Sequence, residues 1–310
     1  MTDINAAQSS EYNQSRLFLV PLDGSHAAES VLGLVEILAA GLPARVLLLH
    51  AIERKAQPRI HQERHLTTKE EALLYLNEIA EGLEKAKISV NVHVHENGVS
   101  DVGESILEHA AETNPDLVIM CTHGSGGLHG FLFGRIAQQV LKNGRWPVLM
   151  IPSNAAVSSR FDNILFPLDA LHEHQMAMAF ILPFIQAFNA ALHLVAVVPT
   201  TDSVSGRETL SRRLMPSATR AMLDLAAQGT SKYLQNMSED LLRQNIVTTT
   251  TVLRGDVVEK LIERASEISP DLIVISGHAK AGIDALIEGS IGQQLVEKSR
   301  APLLLLKIDR

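Results

Sequence analysis

The stretch Asn114-Pro115-Asp116-Leu117-Val118-Ile119-Met120 returns as Ser269-Pro270-Asp271-Leu272-Ile273-Val274-Ile275. The offset is 271 − 116 = 155 residues. In each copy a near-continuous apolar run follows the Pro-Asp pair and reads as a buried strand. At the same offset His123 matches His278, Gly134 matches Gly289, Gln138-Gln139 matches Gln293-Gln294, and Pro147 matches Pro302. Nearer the start of each half, Leu19-Val20-Pro21-Leu22-Asp23 matches Leu165-Phe166-Pro167-Leu168-Asp169. There the offset is 169 − 23 = 146, so the second half carries a net insertion of 155 − 146 = 9 residues. So many ordered matches mark a tandem duplication. The expected layout is a polar tail over 1–15, one domain over 16–152, a small polar linker over 153–160, and a second domain over 161–310.

Each half alternates short apolar runs with longer amphipathic ones. In the first half Leu17–Leu22, Arg45–Leu49, Val90–Val94, Leu117–Met120 and Val148–Ile151 read as five strands. The segments 30–38 and 70–83 read as helices between them. The second half repeats the order, with strands near 164–168, 192–198, 248–253, 272–276 and 303–307. Continuous rather than alternating apolar runs point to parallel sheets covered on both faces. The predicted fold is therefore α/β, two tandem doubly wound parallel five-stranded sheets with right-handed crossovers. The last strands, Val148–Ile151 and Leu303–Leu306, are apolar throughout, and an open edge of that kind invites aggregation. Mutual pairing across a pseudo-two-fold is expected to cover them.

Composition narrows the function. The 310 residues are 46% hydrophobic and 20% charged, as in a globular protein. Lys and Arg number 27 against 35 Asp and Glu, a formal charge of −8 that argues against a nucleic-acid partner. Aromatics at 4% also disfavour a base-stacking surface. The single cysteine, Cys121, excludes an internal disulfide and fits a reducing compartment. The polar start lacks a secretory pattern, and no run is long enough for a spanning helix. A soluble cytoplasmic protein without membrane insertion is expected.

In a doubly wound sheet, ligands bind outside the strand carboxyl ends, where the strand order switches. Asp23-Gly24-Ser25 follows strand one, Asn97-Gly98 follows strand three, and Thr122-His123-Gly124-Ser125-Gly126-Gly127 follows strand four. Gly134-Arg135 opens the next helix. Such glycines let a backbone approach a phosphate, and a helix start supplies free N–H groups. The same residues also serve plain turns and N-caps, and both readings stand. No P-loop is present, and His129 breaks a G-x-G-x-x-G.

These features together resemble the universal stress protein family, in tandem form. The resemblance rests on Asp23 and Asp169, the N-P-D and S-P-D entries, the T-H-G-x-G-G-L segment at 122–128, Gly134 and Gly289-Ser290, and the P-V-L and P-L-L final strands. It implies a Rossmann-like, adenine-nucleotide alpha-hydrolase-like fold and a regulatory binding role in stress response. It also implies dimer or higher homo-oligomer formation, an unidentified regulatory protein partner, and ATP, with Mg²⁺ accompanying it, as ligand. ATP-binding members carry G-x2-G-x9-G-[S/T]. By resemblance, the aspartate meets the adenine side, the glycine loop wraps ribose and phosphates, and the last Gly-Ser lies beneath the phosphates. The first half offers Cys121, Gly124, Gly134 and Arg135 in that frame, with Thr122, His123 and Gly127 in the loop. Arg135 either contacts phosphate or fills the site. The second half offers Ser276, Ala279, Gly289 and Ser290, flanked by Gly255, Gly277 and His278. The first half is the favoured binder. A scaffold that binds no nucleotide and a slow ATPase are the alternatives.

Thirteen histidines raise the question of metal. His61 and His65 stand one turn apart on an expected helix, and His93 and His95 share one face of a strand. Each pair lacks an evident third ligand, and no metal is expected. No nucleophile elbow or acid–base pair is found, so a dedicated enzyme is not expected. Cys121 is expected to be buried and inert. The segments 54–68 and 200–230 read as surface excursions after strand two of each half.

Overall fold

The computed structural model describes residues 15–54, 59–60, 63–64, 66–99, 101–122, 134–153, 160–168, 174–200, 216–278, 295 and 301–308. The chain divides into two compact units, 1–159 and 160–310.

In the first unit the strands are β1 (Arg16–Pro21), β2 (Ala44–Glu53), β3 (Arg59–Ile60), β4 (Glu63–Arg64), β5 (Ser89–Val99), β6 (Leu117–Thr122) and β7 (Val148–Pro152). Five of them form a parallel sheet in the order β7-β6-β1-β2-β5. β1 therefore sends its crossover one way to β2, and β6 lies on its other side. That reversal is the switch point. The middle residues of the central strands are buried, with Phe18, Leu19 and Val20 fully enclosed, because helices cover both faces of a parallel sheet.

In the second unit the strands are β8 (Asn163–Pro167), β9 (Ala191–Val198), β10 (Thr248–Arg254), β11 (Leu272–His278) and β12 (Leu303–Ile308). The order β12-β11-β8-β9-β10 repeats that of the first unit, and every pairing is parallel. β10 is the outer strand and opens on Thr248-Thr249-Thr250-Thr251. β-Branched polar residues keep an outer strand extended without making it sticky.

The repeated Pro-Asp motif is a clip at the amino ends of the strands. Asn114 and Ser269 end their helices in the left-handed conformation, with φ of 44° and 46°. The Asp116 carboxylate accepts the Leu17 N–H at 2.7 Å, and Asp116 N–H donates to Leu17 O at 2.9 Å. In the second unit the Asp271 carboxylate accepts from Asp162 and Asn163, both at 2.9 Å. The motif thus ties β6 to β1 and β11 to β8.

Two local expectations are corrected. Arg59–Ile60 pairs antiparallel with Glu63–Arg64, so these described neighbours of His61 and His65 are short strands rather than parts of a helix. A helix would leave strand-type pairing impossible there, and His61 and His65 themselves lie outside the described residues. From Pro216 the second long excursion is the 27-residue helix Pro216–Leu242, not a loop. Its buried Ala227, Thr230, Leu234 and Leu241 recur at helical spacing.

Candidate functional site

A cavity of about 360 Å³ lies at the carboxyl ends of β1, β2 and β6, against the start of helix Arg135–Asn143. Its size falls within the range of small-molecule sites. Asp23 lines it from the end of β1, Ala51 and Glu53 from β2, Cys121 from β6, and Gly134 and Arg135 from the helix start. Val102 and Ile106 supply an apolar wall from helix Val102–Thr113.

Local chemistry places these groups. Gly24 has φ +90°, and a Cβ there would press within 3.0 Å of the Leu66 side chain. Glycine is required for this turn. Ser25 is buried and caps the short helix His26–Glu29 by accepting the Ala28 N–H at 3.1 Å. Its own hydroxyl and N–H donate to Asp23 Oδ1 at 2.6 and 2.9 Å. Asp23 therefore braces the cap with one oxygen while its side chain lines the cavity. Helix Arg135–Asn143 begins at Gly134 without a side-chain cap and without an acidic residue in its first turn. Its first N–H groups remain a favourable environment for an anion.

Of the sequence-predicted residues, Asp23, Gly134 and Arg135 come together at the cavity. Gly24 and Ser25 shape the turn behind it. Gly98 does not follow β5 but lies inside it, where the pairing with β2 shifts register between Ala51 and Glu53. Thr122 ends β6 as a buried residue. His123, Gly124 and Gly127 lie outside the described residues, as do Asp169, Gly289 and Ser290. Gly255 has φ +140° in the turn after β10, and Gly277 and His278 stand inside β11. Cys121 is half-buried and lines the cavity rather than being sealed in the core. The outermost turn of β6 faces the crevice, which leaves its side chain partly open.

The sequence reading missed His50. It is buried in β2, and its Nδ1 donates to Leu22 O at 2.8 Å, fastening the end of β2 to the end of β1 beneath the cavity. A histidine ending the apolar run Leu47-Leu48-Leu49 was the available signal.

The second unit differs at the corresponding place. Counted from Asp23 and Asp169, Ala28 and His174 both stand five residues on (28 − 23 = 174 − 169 = 5). Ala28 lines the cavity of the first unit. His174 is buried, sits edge-on to Phe166 with ring centres 5.9 Å apart, and approaches the Ser276 hydroxyl at 3.4 Å. At the position so counted, the second unit carries an imidazole where the first has a methyl group.

Parallel sheets of the same strand order, one in each unit, define a doubly wound α/β module used twice. A model of the universal stress protein family matches residues 15–152 and again 160–307, and the chain belongs to that family, as a tandem. A universal stress protein from Archaeoglobus fulgidus is similar in structure, with a TM-score of 0.69 and 19% identity over 95% of this chain and 99% of that one. A functionally unknown protein from Pseudomonas aeruginosa matches with a TM-score of 0.64 and 17% identity over 95% and 93%. These likenesses show the fold. In sequence, 56 residues are 39% identical to stress response protein NhaX of Bacillus subtilis. That match spans 18% of this chain and about a third (34%) of the relative's length. Among the described residues, no helix is long and apolar enough to cross a membrane.

Proposed function

We propose that the first unit binds an adenine nucleotide, ATP with Mg²⁺, and that the chain is a cytoplasmic regulatory module of the stress response. The observation that carries this reading is one cavity bringing together a carboxylate, Asp23, and an uncapped helix start beside a cation, Arg135. The carboxylate suits the hydrogen-bonding groups of a nucleoside. The helix start and guanidinium suit its phosphates. Arg135 lines the cavity yet stays exposed, which favours the contact reading over the plug. The second unit, with His174 in the way, is the weaker binder.

Binding rather than fast turnover fits the same groups. β6 ends in Met120-Cys121-Thr122, which offers no strand-end carboxylate for magnesium. Asp23 is already engaged by the Ser25 cap. Mass spectrometry of gently denatured full-length protein is expected to release an adenine nucleotide, and calorimetry of stripped protein to show one ATP per chain. Absence of both overturns the reading. Phosphate release with Mg²⁺ is expected well below about 1 s⁻¹, the floor of ordinary enzymes. Faster turnover, lost on substitution of Asp23 or His123, would make the protein an ATPase.

A further inference from the structure

We propose that His93, His95 and His109 form a Zn²⁺ site in the first unit, separate from the nucleotide cavity. His93 and His95 project from one face of the outer strand β5, while the intervening Val94 is buried on the other face. Helix Val102–Thr113 brings the buried His109 onto them. The ligand nitrogens of all three lie within 4.8 Å of one another. The rings of His93 and His95 stand 4.5 and 5.0 Å from that of His109.

Hydrogen bonding selects the right tautomer for a ligand. His109 Nδ1 is 2.9 Å from Ser105 O. A carbonyl only accepts, which assigns the proton to Nδ1 and leaves a lone pair on Nε2. That Nε2 points at His93 Nε2, 2.7 Å away. A backbone carbonyl holding the outer N–H of a metal-bound imidazole is the usual second support of zinc histidines. A hydrogen bond between His93 and His109 would account for one contact but leaves His95 without a reason to join. At Zn–N distances of about 2.0–2.1 Å, tetrahedral ligands sit roughly 3.3 Å apart, so His93 and His109 must part by about 0.6 Å and a pair at the 4.8 Å limit must close by about 1.5 Å. Side-chain torsions cover that range.

The surroundings suit a cation with one open position. A cavity of about 470 Å³ borders His93 and His109 and is also lined by Arg45, Asn91 and Glu112. Water from this cavity, or the Glu112 carboxylate one helical turn beyond His109, can complete four ligands. The charged groups facing His93 are His95 and Glu96 on its own strand and His109 and Glu112 on the helix, with Lys69 paired to Glu96 and Arg45 across the cavity. Burial, then His109 and His95, hold His93 below its usual range, against the pull of Glu112 and Glu96. In the metal-free protein His93 Nε2 donates to His109 Nε2, so metal binding moves that proton to Nδ1 and frees the Nε2 lone pair.

The second unit supplies an internal control. By strand register, Leu47 pairs with Asn91 and His193 with Thr249, which places Thr251 and Leu253 at the positions of His93 and His95. Counting from the helix caps Asp101 and Asp256 places Arg264 opposite His109 (109 − 101 = 264 − 256 = 8). None of the three is an imidazole.

The full chain, stripped with a chelator, should be titrated with Co²⁺ as a spectroscopic probe and with Zn²⁺ against a competing chelator. The expected result is one metal per chain, tetrahedral cobalt bands in the visible, and affinity that declines as pH drops below about 6.5. His93→Gln alters an exposed side chain and should leave the circular dichroism intact while weakening Zn²⁺ at least about 100-fold. His93→Gln with His95→Gln should abolish the cobalt bands. His61→Gln with His65→Gln should leave them unchanged. Absence of tetrahedral bands in the wild type, or wild-type affinity in folded His93→Gln, overturns the site.

Discussion

The two units share a skeleton and differ in what they hang on it. Both run the same strand order, both clip the first strand with the carboxylate of a Pro-Asp pair, and both cap the helix before that pair with an aspartate, Asp101 accepting from Glu104 N at 3.1 Å and Asp256 from Glu259 N at 3.0 Å. Yet Ala28, His93, His95 and His109 in one unit correspond in position to His174, Thr251, Leu253 and Arg264 in the other. Residues that hold backbone N–H groups were kept on both sides. Residues whose side chains point into crevices diverged. The lesson is physical: an unsatisfied buried N–H costs about 1–3 kcal/mol in any copy, whereas a crevice side chain costs little to change unless a ligand uses it.

The largest expected effect tests where nucleotide binds. Gly124→Val should remove ATP binding below detection in calorimetry, whereas Ala279→Val, its counterpart in the second unit, should leave the affinity untouched. Equal loss in both variants would break the asymmetry.

Transplanting the obstruction comes next. Ala28→His places in the first unit the imidazole that the second already carries. We expect ATP affinity to fall at least about tenfold, with overpacking lowering stability by about 1–3 kcal/mol. Undiminished affinity would show that Ala28 does not border the ligand.

The clips should behave alike. Asp116→Ala orphans the Leu17 N–H, and Asp271→Ala orphans those of Asp162 and Asn163. Each should cost its unit about 1 kcal/mol in urea unfolding, with Asp271 no higher than Asp116 because one of its two donors is exposed to water. A neutral outcome in either unit would end the claim of a shared skeleton.

The smallest effect is acid sensitivity. His93 is held below its ordinary value near 6.5 chiefly by burial, then by His109 and His95. His193 is held below it by burial, then by Arg264. The neutral His193 ring donates from Nε2 to Asn163 Oδ1 at 3.0 Å and accepts at Nδ1 from Thr249 at 2.8 Å. With folded pKa values depressed, the folded state binds fewer protons than the unfolded one. The stabilisation is complete above about pH 6.5 and is lost as pH falls through the folded values. Thermal unfolding of metal-free protein between pH 7.5 and 5 should show a lower Tm on the acid side, flattened in part by His93→Gln and by His193→Gln. Both groups are partly open to water, so the slopes should be shallow.

The sequence alone determined the duplication, the parallel sheets and three of the residues around the cavity, Asp23, Gly134 and Arg135. Those features are local: apolar runs mark buried strands, and chemistry at strand ends falls at the switch point once the order is known. The tertiary structure decided the rest. His109 joins His93 and His95 only because β5 and helix Val102–Thr113 pack with that register, and no spacing along the chain encodes it. Periodicity likewise said nothing of His50 reaching Leu22 O, 28 residues away in sequence. The helix Pro216–Leu242 was hidden because it was read together with the Ser- and Thr-rich stretch before it, although Ala218, Ala221, Met222, Leu223, Ala226 and Ala227 are good helix formers. Sites made of side chains from several elements depend on how those elements are stacked, and stacking is set by the whole core.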